Sequence, residues 1–98
     1  MIDVSSMTTP ALLLDARKLR RNVELATQRA KSLGVQLRPH MKTSKSVDVA
    51  RLMLGETWTS MAVSTVPEVV ALYSAGVRNI RYTSPFDHRK IADLKPMI

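Results

Sequence analysis

Arg38, His40 and Lys42 occupy every second position in the stretch Val35-Gln36-Leu37-Arg38-Pro39-His40-Met41-Lys42-Thr43-Ser44-Lys45. Alternate residues of an extended strand share a face. The spacing therefore predicts a guanidinium, an imidazole and an amine pointing the same way. The chemistry such a face could serve is covalent catalysis by the amine. A protonated lysine is a poor nucleophile, and neighbouring positive charge and partial burial both favour its neutral form. A lysine tuned in this way condenses with carbonyl compounds. Lys42 is the candidate catalytic residue, with Arg38 and His40 as candidate partners for a bound group. Each residue also has a plainer reading. Basic residues after a strand are common in solvated loops, and a single His is often a hydrogen-bonded structural residue. Lys45, in the turn that follows, reads as solvated or close to a phosphate or carboxylate.

A strand must carry these residues and helices must frame it. Thr9-Pro10-Ala11-Leu12-Leu13-Leu14-Asp15 reads as a short buried strand, three leucines bounded by Pro and Asp. Asp15 then suits the N-cap of a helix over 16–33. Its apolar stripe, Leu19, Val23, Ala26, Ala30 and Leu33, follows the helical repeat, and Gly34 supplies the stop. Residues 35–41 form the next expected strand. Ser44 or Ser46 can cap a helix over 46–54, with Val47, Ala50 and Leu54 inward and Gly55 at its end. A strand is expected over 58–64. Thr65-Val66-Pro67-Glu68 is a capping box, and Pro67 is tolerated where early helical N–H groups have no intrahelical partner. That helix should end before Gly76. A strand over 77–83 is broken by Ser84-Pro85, and Asp87 can cap a last helix over 88–94.

Strand and helix thus alternate, which predicts an α/β fold with parallel strands and helices outside the sheet. A complete eight-unit barrel takes roughly 250 residues. The order fits either a small open α/β sheet or the first βα units of a TIM-type (β/α)8 barrel, incomplete. The C-terminal ends of parallel strands are where such folds place their sites, and Lys42 falls at one. Residues 1–8 read as a polar lead-in, and 9–98 as one partial barrel domain.

Composition narrows the function classes. The 98 residues include no Cys, which excludes a disulfide framework, a thiolate metal site and a Cys nucleophile. No apolar run approaches the roughly 20 residues of a membrane span, and the N-terminus lacks the pattern of a secretion signal. The expectation is a cytoplasmic protein without a membrane partner. A net charge of +7 invites a nucleic-acid reading. Yet Arg17, Lys18, Arg20, Arg21, Arg29 and Lys31 fall in one helical segment, mostly off its apolar stripe, as a solvated face would. The four aromatics are scattered and offer no stacking platform. No nucleic-acid partner is expected.

Three stretches resemble a known family: Thr9-Pro10-Ala11-Leu12-Leu13-Leu14-Asp15, Leu19-Arg20-Arg21-Asn22, and Leu37-Arg38-Pro39-His40-Met41-Lys42-Thr43. They are similar to the N-terminal part of the D-threonine aldolase and D-serine dehydratase-like family, pyridoxal-phosphate enzymes with an alanine-racemase-type barrel of fold type III. The stretches 61–68 and 75–80 resemble its next barrel units. The resemblance implies that Lys42 carries pyridoxal phosphate as a Schiff base, with His40 and Arg38 near the cofactor. It also implies aldol cleavage of D-threonine-like substrates or dehydration of D-serine, with racemisation as a third outcome of the same carbanion logic. The family has His where this chain has Ser44, which puts the chemistry beside the lysine in question. Its divalent-metal ligands, phosphate-binding loops and C-terminal β domain correspond to sequence beyond residue 98, so no metal ligand is assigned here. Two readings stand: the N-terminal part of a D-amino-acid enzyme, or a truncated, catalytically inactive fragment or non-catalytic cofactor-binding protein. A partial barrel leaves a free strand edge, so either a homo-oligomer or a need for the C-terminal part is expected.

Overall fold

The structure, a computed structural model, describes residues 2–55 and 60–98. Helices dominate, and local signals explain where each begins. Helix α1 spans Ala16–Ser32, and the Asp15 carboxylate accepts from the backbone N–H groups of Arg17 and Lys18. These are two of the donors a helix start leaves unpaired. Helix α2 spans Val47–Leu54, and the Ser46 hydroxyl accepts from the N–H of Val49. Of the two serines proposed as caps, Ser46 is the one used. Helix α3 spans Val66–Ser74, with the Thr65 hydroxyl accepting from the N–H of Glu68. Residues 88–94 form a 3-10 turn, His88–Lys90, that continues into the short helix α4, Ile91–Leu94, behind an Asp87 cap.

The sheet is smaller than the sequence predicts. Strands β1, Ser60–Val63, and β2, Asn79–Tyr82, pair in parallel with Ser60 opposite Asn79 and Val63 opposite Tyr82. Trp58 and Thr59, the start of the expected 58–64 strand, lie outside the described residues. The strand expected over 35–41 contracts to one parallel bridge between His40 and Ala62, closed by the Ala62 N–H donating to the Pro39 carbonyl at 2.8 Å. Pro39 has no N–H to add a further rung, and the chain coils into a 3-10 turn, Met41–Thr43, immediately afterwards. The strand expected at Leu12–Leu14 is absent. This segment is extended but pairs with nothing among the described residues, and Leu12 is 97% exposed. Three leucines give a strand its composition, but only a neighbouring strand can give it hydrogen bonds and cover.

The core lies between the sheet and helices α2, α3 and α4. Met61, Val63 and Leu72 are fully buried, joined by Met41, Ala50, Val69 and Leu94. Partly buried Val47, Leu54, Ile80 and Tyr82 pack around them. The stripe of α1 is only partly used: Ala30 is buried, Leu19 and Val23 are half-buried, and Ala26 and Leu33 are exposed. All six basic residues of α1 are exposed, as a solvated face requires. No helix among the described residues is long and apolar enough to cross a membrane.

Candidate functional site

The parallel register gives the sheet two unlike faces. Met61, Val63, Ile80 and Tyr82 belong to the packed core. The alternate positions are polar or small: Ser60 and Asn79 lie opposite each other, as do Ala62 and Arg81, with His40 bridged to Ala62. Asn79, Arg81 and Thr83 are exposed. His40 reaches the C-terminal edge of this polar face at Ser64 and Thr83, whereas Arg38 reaches Asn79 at the start of β2.

His40 is the centre of the contacts at that edge. Its Nε2 lies 3.0 Å from the Thr83 hydroxyl and 3.0 Å from the Ser64 hydroxyl. Its Nδ1 accepts from the backbone N–H of Lys42 at 3.0 Å. The Thr83 hydroxyl itself donates to the Val63 carbonyl at 2.9 Å, so its lone pair faces the ring. The pattern has one consistent reading: Nδ1 bears no proton and Nε2–H donates. The imidazole therefore ties the loop before α2 to the ends of β1 and β2.

Lys42 sits within the 3-10 turn, not on the alternating strand, so the predicted single face of Arg38, His40 and Lys42 does not form. Lys42 is exposed, and among the described residues none pairs with its amine. The Arg38 guanidinium turns across the sheet to Asn79, donating to its side-chain oxygen at 2.9 Å and to its carbonyl at 3.3 Å. Burial, one of the two aids expected for the amine, is thus not in place, and the Arg38 guanidinium is engaged by Asn79. Lys45 adopts a positive φ of 46° and points to Glu68, 4.0 Å away. Glu68 is buried, and its carboxylate accepts from the Ser64 N–H at 2.8 Å. The capping box therefore closes one residue earlier than its usual form, on Ser64 and not on Thr65. The Ser44 hydroxyl, where the family pattern has His, is buried without a hydrogen-bond partner among the described residues.

Sequence reasoning missed Ser64, Thr83 and Asn79. A signal existed: Asn79, Arg81 and Thr83 alternate with Ile80 and Tyr82, which marks one polar face of a strand. Among the described residues no group of three or more His, Asp or Glu side chains could hold a metal ion.

No family model matches the chain. Among characterised proteins, it is 39% identical over 77 residues to the D-threo-3-hydroxyaspartate dehydratase of Delftia sp. (strain HT23), covering 79% of this chain and 20% of that enzyme. It is 31% identical over 96 residues to the D-serine dehydratase of Dictyostelium discoideum, covering 93% of this chain and 24% of that one. It is 34% identical over 85 residues to the 3-hydroxy-D-aspartate aldolase of Paracoccus denitrificans, covering 85% and 22%. The solved structure of the Delftia dehydratase superposes with a TM-score of 0.88 at 33% identity, covering 94% of this chain and 24% of that one. A variant of the same dehydratase in its metal-free form superposes equally well. The chain thus spans between a fifth and a quarter of the length of these relatives.

Proposed function

From its homology to the N-terminal part of the D-serine dehydratase-like enzymes, whose α/β fold it shares, we propose that this chain is the lysine-bearing segment of a pyridoxal-phosphate-dependent enzyme acting on D-amino acids. Lys42 is the residue assigned to hold the cofactor covalently. The observation that carries the reading is the Lys42 amine itself: exposed, without a partner among the described residues, and set on a backbone clamped to the C-terminal edge of a parallel sheet. That fit extends to the amine. The described residues next to it form no cradle for a phosphate, and none is assigned.

Pyridoxal phosphate, when bound, supplies an electron-withdrawing ring that stabilises negative charge at an amino acid's Cα. This chain's residues do the positioning. His40 fixes the Lys42 N–H, and Ser64 and Thr83 fix His40. Arg38 is held by Asn79 and keeps a cation on the polar sheet face. His40 has both ring nitrogens engaged, so it is a weak candidate for the proton transfers that separate dehydration, aldol cleavage and racemisation. Substrates with a β-hydroxyl, such as D-serine, D-threonine and 3-hydroxy-D-aspartate, are the class assigned. The divalent metal belongs to the proposal for the complete enzyme, with ligands outside this chain.

The test is chemical trapping. The purified chain is incubated with pyridoxal phosphate, reduced with borohydride and mapped by peptide mass spectrometry. An adduct on Lys42, absent from Lys42→Ala, is expected. An adduct spread over the exposed lysines would remove the assignment. Consumption of D-serine, D-threonine or 3-hydroxy-D-aspartate is then measured separately. Trapping without consumption would favour the non-catalytic cofactor-binding reading for these 98 residues.

A further inference from the structure

Three hydrogen-bonding units that are far apart in sequence converge on one imidazole. Ser64 directly follows β1 and Thr83 directly follows β2, and both hydroxyls lie 3.0 Å from His40 Nε2. The Thr83 hydroxyl is not free to turn at will, and the backbone that carries the Ser64 hydroxyl is held. The Thr83 hydroxyl donates to the Val63 carbonyl at 2.9 Å, and that carbonyl also accepts the Thr83 N–H at 2.8 Å. The Ser64 backbone is pinned by the buried Glu68 carboxylate at 2.8 Å. On the far side of the ring, Nδ1 receives the Lys42 N–H at 3.0 Å. If Nδ1 carried the proton, it would face that N–H directly, and two donors would oppose each other. The two hydroxyls therefore do more than fill space. Thr83, its proton given to the Val63 carbonyl, offers Nε2–H an acceptor, Ser64 can offer a second, and both favour the ring form that can accept from Lys42.

Resting on the function proposed above, we propose that Ser64 and Thr83 are positioning residues for Lys42. They act through His40, which they hold as its Nε2–H tautomer so that Nδ1 anchors the Lys42 backbone. The amine is carried on a flexible stem, so the location of its Cα decides how often the amine reaches a carbonyl held nearby. The 3-10 turn Met41–Thr43 begins at His40, whose side chain is its N-cap. Loosening the ring would loosen the turn that carries the lysine. Misplacement of a reacting group by about 1 Å can cost up to about 100-fold in rate. A tenfold loss is the expected scale for a turn that keeps its backbone bonds.

The experiment uses the full chain with nitrogen-15-labelled histidine and reads two quantities. The first is the His40 tautomer by NMR near pH 8.5, where an imidazole is ordinarily neutral. The second is the rate of borohydride-trapped pyridoxal phosphate at Lys42. Wild type is expected to give a single Nε2–H form. The double variant Ser64→Ala with Thr83→Val should give a tautomer mixture and trap at Lys42 about tenfold more slowly. The pair Ser64→Thr with Thr83→Ser keeps both hydroxyls and should return both readouts to wild-type values. Should the double variant lose its helical circular dichroism, the single variants carry the same comparison. A Nδ1–H tautomer in wild type overturns the inference, as does an unchanged trapping rate in the hydroxyl-free variants. If wild type forms no Lys42 adduct, the proposed function falls and this assignment falls with it. An adduct at Lys42 with an indifferent double variant overturns this assignment alone.

Discussion

Ser44 and Glu68 present opposite cases of a buried polar side chain. The Ser44 hydroxyl is buried with no hydrogen-bond partner among the described residues. An unpaired buried hydroxyl costs free energy relative to its hydrated state. Replacing Ser44 with Ala is therefore expected to leave stability unchanged or raise it by about 1 kcal/mol, as read from the urea midpoint at constant m-value. A clear loss would mean that the hydroxyl has a partner in solution. Glu68 is 7% exposed and accepts the Ser64 N–H at 2.8 Å. Glu68→Ala would leave that donor unpaired in a part-buried site and should cost about 1–2 kcal/mol. Glu68→Gln keeps an acceptor oxygen and should cost less. If the two substitutions proved equal in urea unfolding, the Ser64 contact would not be what Glu68 contributes.

At the scale of elements, the caps carry separable contributions. Thr65→Ala removes the acceptor for the Glu68 N–H at the start of α3 and should cost about 1 kcal/mol, with Thr65→Ser close to neutral. Asp87 caps the last helical segment differently. The Arg89 side chain, and after it the Arg89 N–H, hold the Asp87 carboxyl below the usual carboxylate range, with slight opposition from desolvation. Because the folded-state value is depressed, this contribution is present above the ordinary carboxylate range. It is lost as pH falls through the lowered value. An NMR titration of the Asp87 carboxyl should show the depressed midpoint in wild type and a return toward the ordinary range in Arg89→Ala. Both groups lie at the surface, so salt should shrink the effect. These caps also explain what could be read from the sequence. Asp15, Ser46, Thr65 and Asp87 act on N–H groups two or three residues away, so the four helical segments were legible from local residues. The strands expected over 58–64 and 77–83 are found at Ser60–Val63 and Asn79–Tyr82, but the other two were not legible. Among the described residues, Leu12–Leu14 has a strand's composition but no neighbour to pair with, and 35–41 keeps a single rung at His40. Pairing is settled by residues distant in the chain. For the same reason Lys42 could be singled out by type and spacing, whereas the alternation of Asn79, Arg81 and Thr83 marked only a polar face, and the meeting of Ser64 and Thr83 at His40, made by the fold, could not be read.

At the scale of the whole molecule, apolar surface is distributed unevenly. Leu12 is 97% exposed, Leu13 55% and Leu14 53%, and Leu33 and Val35 are also open to solvent. The outer edge of β2 has no partner strand among the described residues. Consecutive leucines and an unpaired edge are the surfaces that draw a second chain. The core they would reinforce is small. Leu72 is fully buried in it, and Leu72→Ala should cost about 2–5 kcal/mol. That is a large share of the roughly 5–15 kcal/mol that holds a domain together, so this variant should unfold well below the wild-type urea midpoint. The same arithmetic gives association its driving force, since each leucine taken out of water contributes about 1.5–3 kcal/mol. The 98-residue chain on its own is therefore expected to sediment as a species heavier than its 10.9 kDa. Replacing Leu12 and Leu14 with Ser should shift it toward the monomer while keeping its helical circular dichroism. A wild-type chain that stays monomeric at high concentration would mean that the leucine segment folds back onto its own chain in solution. In that case the same two substitutions should lower the unfolding midpoint instead of changing the sedimentation coefficient.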